Sequence, residues 1–138
     1  MRFSDLTIGQ SAEITRTVTD RDIQGFADVT GDTNPLHLDE AAAKGTMFKG
    51  RIAHGMLGAG FISAVIGTQL PGFGSVYVTQ SLAFRRPVRP GDTITTRVEV
   101  VELMPAERRV RLATTCRNHA GKAVIEGEAV ILMPDELG

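Results

Sequence analysis

Alternating apolar and polar positions mark the first predicted strand, SAEITRTVT at residues 11–19. Ala12, Ile14 and Val18 alternate with polar residues, which is the two-residue period of a half-buried strand. Arg16 is the exception on the apolar side of this pattern. We therefore expect one strand before any helix.

A helix is predicted to follow, because Thr19 and Asp22 have the spacing of a capping box. Apolar residues at positions 23, 26 and 27 then recur at helical spacing, and Gly31 suits the residue that ends a helix. Asp32 therefore lies just past a helix end. The Asn34-Pro35 pair demands a turn, after which residues 36–44 can form a second short helix.

Residues 53–70, AHGMLGAGFISAVIGTQL, are apolar on almost every side of a helix and include four glycines. Each interior glycine costs a helix about 1 kcal/mol relative to alanine, so packing must supply the stability. The pattern predicts a buried helix whose glycines let other backbone approach closely.

Four alternating runs separated by turn residues follow the apolar helix and predict an antiparallel meander. A sheet of about five strands facing one apolar helix gives an α+β layer in which the sheet wraps the helix, the hot-dog arrangement. We expect one domain over residues 1–138, since domains cluster at roughly 100 to 150 residues. The runs are Ser75 to Phe84, Thr93 to Leu103, Arg108 to Asn118 and Lys122 to Met133.

The net charge of the chain does not indicate a charged partner, because its 138 residues include 15 basic and 16 acidic ones. We therefore expect neither nucleic acid nor a membrane surface as a partner. The first ten residues contain no apolar signal region, and the longest apolar stretch, 56–66, is far shorter than the ~20 residues of a spanning helix. The expected location is the cytoplasm.

The single cysteine of the chain, Cys116, is expected to be a core residue rather than a nucleophile.

The stretch FADVTGDTNPLHLD, residues 26–39, places Asp32 and His37 five residues apart around the Asn-Pro turn. Taken alone, Asp32 could be an ordinary turn residue and His37 a surface or core histidine. Their combination with Asn34 and Pro35 favours an acid–base pair, because two such groups can remove and deliver protons at neighbouring atoms.

The pattern Phe26-Ala27-x-x-Thr30-Gly31-Asp32-x-Asn34-Pro35-Leu36-His37-x-Asp39 resembles the motif of the MaoC-like hot-dog proteins, R-specific enoyl-CoA hydratases and related dehydratases. HGML, LPGFGSVY, SLAFRRPVRPGDTI and GEAVILMP extend the resemblance over nearly the whole chain. It implies reversible hydration of a trans-2-enoyl thioester to the R-3-hydroxyacyl thioester. It also implies a substrate tunnel at a subunit boundary.

Hydration needs a group that takes a proton from water, a group that protonates C2, and donors for the charge on the thioester oxygen. Asp32 and His37 can supply the first two, with the division between them left open. The unpaired N–H groups at the start of the apolar helix can supply the third, and Gly55, which the resemblance also implies, is the expected donor. Asn34 is expected to orient the turn or the catalytic water. Ala59, Ser63 and Ile66 share one predicted helix face and are expected to border the acyl chain, although Ser63 could instead bond its own backbone.

The remaining histidines are expected to be structural or solvated: His54 near the helix start and His119 in a hairpin turn. Neither has metal-ligand spacing in the sequence, so we predict no metal and no cofactor. Arg85, Arg86 and Arg89 are expected either on a solvated face or against the phosphates of coenzyme A or a phosphopantetheine carrier.

Two other functions stay open at this point. One is a hot-dog thioesterase, which uses the same helix N-terminus but is disfavoured by the Asp-x-Asn-Pro-x-His spacing. The other is a non-catalytic acyl-thioester-binding subunit that keeps the fold, which is disfavoured by the presence of both Asp32 and His37. The expected partners are an acyl thioester of coenzyme A or acyl carrier protein and a second copy of the chain. The uncharged run at 75–84 has no proline to discourage pairing, so we expect at least a homodimer, or a dimer of dimers.

Overall fold

A computed structural model describes residues 1–134, and the predicted domain end at residue 138 lies outside them. The described residues form one antiparallel sheet of six strands, with helices at the N-terminal side of the chain, so the predicted α+β class is confirmed. The elements are β1 (Ser11–Thr17), α1 (Asp20–Thr30), α2 (Pro35–Leu38), α3 (Glu40–Lys44), α4 (Gly55–Thr68), β2 (Val76–Gln80), β3 (Ala83–Phe84), β4 (Thr93–Met104), β5 (Arg109–Arg117) and β6 (Ala123–Leu132).

The strand order across the sheet is β1-β4-β5-β6-β2, and β3 pairs with β6 beyond this path. The meander is confirmed for β4, β5 and β6, whose bounds agree with the predicted runs to within one residue at each end. Placing the run 75–84 beside β4 was wrong, because this run returns to β6 at the edge opposite β1.

The run 75–84 is also not one long strand. It breaks between β2 and β3 at Ser81, whose carbonyl oxygen lies against the Cα of Gly127. The Ser81 N–H donates to the Glu128 carbonyl over 2.8 Å, and the Glu128 N–H donates to Ser81 Oγ over 2.9 Å. The Ser81 hydroxyl oxygen thus accepts the hydrogen bond that a backbone carbonyl would accept in a regular antiparallel pair. Any side chain at position 127 would collide with the Ser81 backbone, so this position requires glycine.

Helix α4 packs against the inner face of the sheet through Ile62, Val65 and Ile66, each at most 1% exposed. The predicted close approach at a glycine involves a side chain rather than backbone at Gly58, where a Cβ would collide with the Ile125 side chain. The prediction that α4 is buried all round was wrong for a single chain. A single sheet covers only one side of a helix, so the opposite side, which includes Ser63, is exposed.

The predicted boundaries of α1 are confirmed. Thr19 Oγ1 accepts from the Asp22 N–H, the Asp22 carboxylate accepts from the Thr19 N–H, and Gly31 ends the helix with a φ of 79°. The second helical segment is two helices rather than one, because Asp39 breaks the helical backbone and caps α3 through Ala42. Among the described residues, no helix combines the length and the apolar character needed to cross a membrane.

Candidate active site

Asp32 lies on an exposed turn that two local hydrogen bonds hold. The Asp32 N–H donates to Thr30 Oγ1 over 3.2 Å, and Asp32 Oδ1 accepts from the Asn34 N–H over 3.3 Å. Asn34 in turn caps α2, because its Oδ1 accepts from the Leu36 N–H over 3.0 Å and Pro35 begins the helix. The predicted role of Asn34 in orienting the turn therefore has a structural basis.

His37 lies in α2 and is 8% exposed, so it is buried rather than placed on a free loop beyond a helix. Its Nδ1 is 2.7 Å from the carbonyl oxygen of Ile52. A carbonyl oxygen only accepts hydrogen bonds, so Nδ1 carries the proton in the neutral ring. The Nε2 lone pair of His37 is therefore left as the basic atom.

His54 stacks directly on the catalytic candidate His37. The two ring centroids are 3.9 Å apart with an interplanar angle of 29°. His54 is 3% exposed, and its Nε2 lies 2.9 Å from the carbonyl oxygen of Asp32. The interpretation of His54 as a residue near the helix start is confirmed, since it is the N-cap of α4, but the structure also brings it into the site.

Arg51 ties the segment before α4 to the helices that carry the acid–base pair. Its Nη2 is 2.6 Å from Asp20 Oδ1, its Nε is 3.4 Å from Glu40 Oε2, and its Nη1 donates to the His37 carbonyl over 3.4 Å. The hydrogen bond to Asp20 raises the pKa of Arg51, with the Glu40 pair adding to the effect. Arg51 is charged in any case, and it holds α2 against the chain that precedes α4.

Gly55 is the first residue of α4, where helical N–H groups have no partner in the preceding turn. In the part of the chain that the structure describes, no acceptor binds the Gly55 N–H. The next residue but one, Leu57, is already engaged, since its N–H donates to the His54 carbonyl over 3.1 Å. The N–H of Gly55 is thus free to bind an oxygen that gains negative charge.

Two pockets, a cavity and a groove, lie on different sides of α4. An apolar cavity of about 310 Å³ is lined by His54, Gly55, Leu57 and Phe61 together with strand residues, and it reaches Cys116. A more open groove of about 520 Å³ is lined by Ala59 and Ser63 with residues of α1 and β2. Of the residues predicted at the acyl chain, Ala59 and Ser63 lie together in the groove.

Ile66 is not brought to the surface of that groove. It is 1% exposed, belongs to the core cluster with Ile62 and Val65, and does not line the groove of Ala59 and Ser63. The helical spacing predicted these three side chains on one face, but Ile66 is part of the core instead.

Asp32, His37 and His54 each offer one ligand atom, and these atoms lie within 4.8 Å of one another. Spacing along the sequence, from which no metal was predicted, did not foresee this cluster. The two rings are stacked, so their lone pairs lie in two roughly parallel planes and do not converge on one point about 2.0 to 2.1 Å away. The arrangement suits proton transfer better than chelation, and the absence of a metal stays a prediction.

The other sequence candidates lie outside the acid–base cluster. His119 is exposed in the β5–β6 turn. Cys116 is completely buried, and this burial raises the pKa of its thiol, as expected of a core residue. Arg85 pairs with Glu126 at 3.2 Å, whereas Arg86 and Arg89 donate to backbone carbonyls at 2.6 Å. Arg85 and Arg86 also line the apolar cavity.

Sequence reasoning missed the contribution of His54, the Ile52 carbonyl and Phe26 to the site. The Phe26 ring also contacts His54, with ring centroids 4.7 Å apart. One signal was available, because His54 directly precedes Gly55 and so must lie at the same helix end. The carbonyl of Ile52 gives no sequence signal, since any residue has one.

Several known proteins are similar to this chain in sequence. The family model described as MaoC like domain matches residues 5–122. The chain is 54% identical over 132 residues to an (R)-specific enoyl-CoA hydratase of Rhodospirillum rubrum, covering 96% of this chain and 91% of that protein. It is 49% identical over 132 residues to a 3-hydroxybutyryl-CoA dehydratase of Methylorubrum extorquens, covering 96% and 83%.

A solved structure is similar over almost the same length. The unliganded R-hydratase PhaJ1 of Pseudomonas aeruginosa superposes with a TM-score of 0.92 at 51% sequence identity, covering 98% of this chain and 86% of that one. The resemblance drawn from the sequence motif is confirmed by these matches.

Proposed function

The chain belongs to the MaoC-like family, and we infer that it is a hydro-lyase that reversibly adds water to a trans-2-enoyl-CoA, giving the (R)-3-hydroxyacyl-CoA. The relatives with the names (R)-specific enoyl-CoA hydratase and 3-hydroxybutyryl-CoA dehydratase support this reaction and its stereochemistry. The observation that carries the mechanism is that a ring nitrogen of His37 lies within 4.8 Å of an Asp32 carboxylate oxygen, beside His54 at the start of α4.

Asp32 and His37 act on one water molecule and one substrate carbon in this proposal. One member of the pair removes a proton from water as the water oxygen bonds to C3, and the other delivers a proton to C2. The C2–C3 double bond is consumed, so one water is added and no other reactant is needed. Acid–base groups placed in this way contribute about 10² to 10⁴ to the rate.

The Gly55 N–H binds the thioester oxygen, on which negative charge grows as water attacks C3. Its position at the start of α4 supports this role, because the N-terminal end of a helix favours an anion. A hydrogen bond that strengthens as charge develops lowers the barrier instead of merely tightening substrate binding.

The acyl chain occupies the groove lined by Ala59 and Ser63, and Ile66 lies in the core one helical turn from Ser63. Arg85 and Arg86 border the cavity on the other side of the α4 N-terminus. We assign the phosphates of coenzyme A to this arginine side, because a guanidinium keeps further N–H donors after one contact with the protein. The thioester group, which joins the acyl chain to coenzyme A, then lies at Gly55.

The active form is at least a homodimer, and the whole chain serves as one hydratase domain in the cytoplasm. Support for the dimer comes from the exposed side of α4 and from β2, which is an edge of the sheet with apolar side chains. A second copy on this side would close the open groove over the acyl chain.

The decisive assay follows crotonyl-CoA in two ways in the same sample. Hydration lowers the enoyl absorbance without releasing a thiol, whereas thioester hydrolysis releases free coenzyme A that a thiol reagent detects. We expect loss of the enoyl absorbance and no thiol release, with unchanged rates after treatment with a metal chelator. Thiol release at the rate of absorbance loss would support a thioesterase instead, and no change in either signal would support a binding subunit.

A further inference from the structure

His54 is a buried polar side chain for which the proposed mechanism has no use. It is 3% exposed, is in ring contact with both His37 and Phe26, and precedes the oxyanion donor Gly55 in the chain. A histidine that only filled space in this position could be replaced by an apolar ring without loss. The hydrogen bonding of His54 argues against that view.

The two ring nitrogens of His54 have different surroundings. Nε2 lies 2.9 Å from the carbonyl oxygen of Asp32, which can only accept, so Nε2 carries the proton. Nδ1 is buried, and no partner for it is found among the described residues. His54 therefore uses its one N–H to hold the backbone of Asp32, directly behind the carboxylate that does the chemistry.

His37 is restrained in two independent ways. The bond from its Nδ1 to the Ile52 carbonyl fixes the position of one nitrogen, but the ring could still turn about that contact. The face of His54, 3.9 Å away, fixes the plane of the ring. Together the two contacts determine the direction in which the Nε2 lone pair points.

We propose that His54 is a positioning residue that holds the Asp32 backbone through its Nε2–H and the His37 ring through stacking, and so sets both acid–base groups relative to Gly55. This inference rests on the proposed function. His54 touches no reacting atom and acts through Asp32 and His37. Misplacing catalytic groups by about 1 Å can cost about 10²-fold in rate, so precise placement by a neighbour has a large effect.

Two variants separate the two contacts. His54→Phe keeps a ring against His37 but cannot donate to the Asp32 carbonyl, whereas His54→Gln keeps an N–H donor but loses the stacked ring. We expect each to lower kcat about 10- to 100-fold while KM stays within roughly two-fold, because ground-state binding is not lost. His119→Gln, in the exposed turn of β5–β6, is the matched histidine control and should retain wild-type kinetics.

A double-mutant cycle and a spectroscopic measurement distinguish positioning from mere packing. In an Asp32→Asn, His37→Asn background, His54→Phe should have no further effect on kcat, because the groups through which it acts are gone. Nitrogen-15 NMR of the free enzyme should show sharp His37 ring signals with Nδ1 protonated in the wild type. In His54→Gln these signals should be shifted or broadened, because the His37 ring can then turn about its Nδ1 contact. The NMR readout needs no activity, so it tests His54 even if crotonyl-CoA is not hydrated.

Wild-type kcat and an unchanged His37 NMR signature in both variants would overturn the proposal. An equal loss of kcat in the double-mutant background would overturn it as well. If only one variant folds, that variant carries the kinetic test, and the NMR test applies to His54→Gln. Failure of both to fold would assign His54 to structural support and would also overturn the positioning role.

Discussion

Phe84 lies directly over Gly55, so that a Cβ at position 55 would be 2.8 Å from Cε1 of the Phe84 ring. Real Cβ atoms do not approach other heavy atoms this closely. Glycine at the first position of α4 therefore lets β3 close over the helix end while the Gly55 N–H stays free. The packing of the sheet and the proposed oxyanion site thus depend on the same missing side chain.

Gly55→Ala should lower kcat at least about 10-fold, because the new methyl group displaces either Phe84 or the first turn of α4 and so moves the N–H donor. The effect should be smaller in a Phe84→Ala background, where the collision is absent. Measuring kcat for the four members of this cycle tests the coupling. Equal losses in the two backgrounds would mean that the ring contact does not position the donor.

The acid–base pair is tested by Asp32→Asn and His37→Asn, each of which should lower kcat by at least ~10². Asp32 is exposed, so its replacement should leave the melting temperature unchanged. His37 is buried against His54, so asparagine, which retains a polar group, is preferred to alanine at this position.

His119→Ala serves as the control for the pair, because it removes an exposed imidazole far along the chain from the motif. Thermal melting of every variant separates lost chemistry from lost folding. An Asp32→Asn or His37→Asn protein that is folded and retains more than about a tenth of wild-type kcat would contradict the assigned mechanism.

The sequence predicted local features of the site well because they depend on neighbours in the chain. The capping box of Thr19 and Asp22, the glycine end of α1 and the Asn34-Pro35 turn each follow from residues within four positions. They place Asp32 just past a helix end without any knowledge of the sheet. The alternation in β4, β5 and β6 likewise gives strands whose core faces can be read directly.

Features that depend on distant residues were not predicted. The stacking of His37 on His54 joins residues 17 positions apart, and periodicity gives no information about such a contact. The position of β2 beside β6 rather than β4 is a choice between sheet edges, which an alternating pattern does not encode. The exposed side of α4 was not predicted, because an apolar sequence indicates that a helix is buried but does not indicate whether the same chain or a second chain buries it.

Ile66→Val should shift the activity profile towards longer enoyl chains if the space it vacates joins the groove of Ala59 and Ser63. The shift is measured as relative kcat/KM across C4 to C10 enoyl-CoA substrates. Ile62→Val is the matched control, because Ile62 is as buried on α4 as Ile66 but directly precedes Ser63 instead of lying one helical turn from it. Each variant should lose about 0.5 to 1.5 kcal/mol of stability. An unchanged profile for Ile66→Val would mean that Ile66 only packs the core.

Cys116 should make stability sensitive to alkaline pH. Burial raises the pKa of its thiol above the ordinary value of 9.0, so the folded protein keeps the thiol neutral. This contribution to stability is complete below about pH 9 and is lost as the pH rises through the raised pKa. The free energy of unfolding in urea should therefore fall above pH 9, and less steeply in Cys116→Ala. Identical pH dependence in the two proteins would contradict this assignment.

Edge strand β2 is the expected site of subunit pairing. Val76, Tyr77 and Val78 are 47%, 40% and 39% exposed, and none carries a charge. β2 has β6 on one side, whereas its other side ends the described sheet. Unprotected apolar edges tend to pair with another strand, and closed twofold symmetry satisfies two such edges at once.

Val76→Lys should therefore weaken the dimer, because a charged side chain at a sheet edge opposes pairing with a second strand. Light scattering should give at least twice the chain mass of 14.8 kDa for the wild type and a shift towards that mass for the variant on dilution. Ile8→Lys, another exposed apolar position, should not change the mass. Hydration of crotonyl-CoA should fall in parallel with dissociation, because the groove on α4 loses its cover. A monomeric Val76→Lys protein with full activity would refute the shared site.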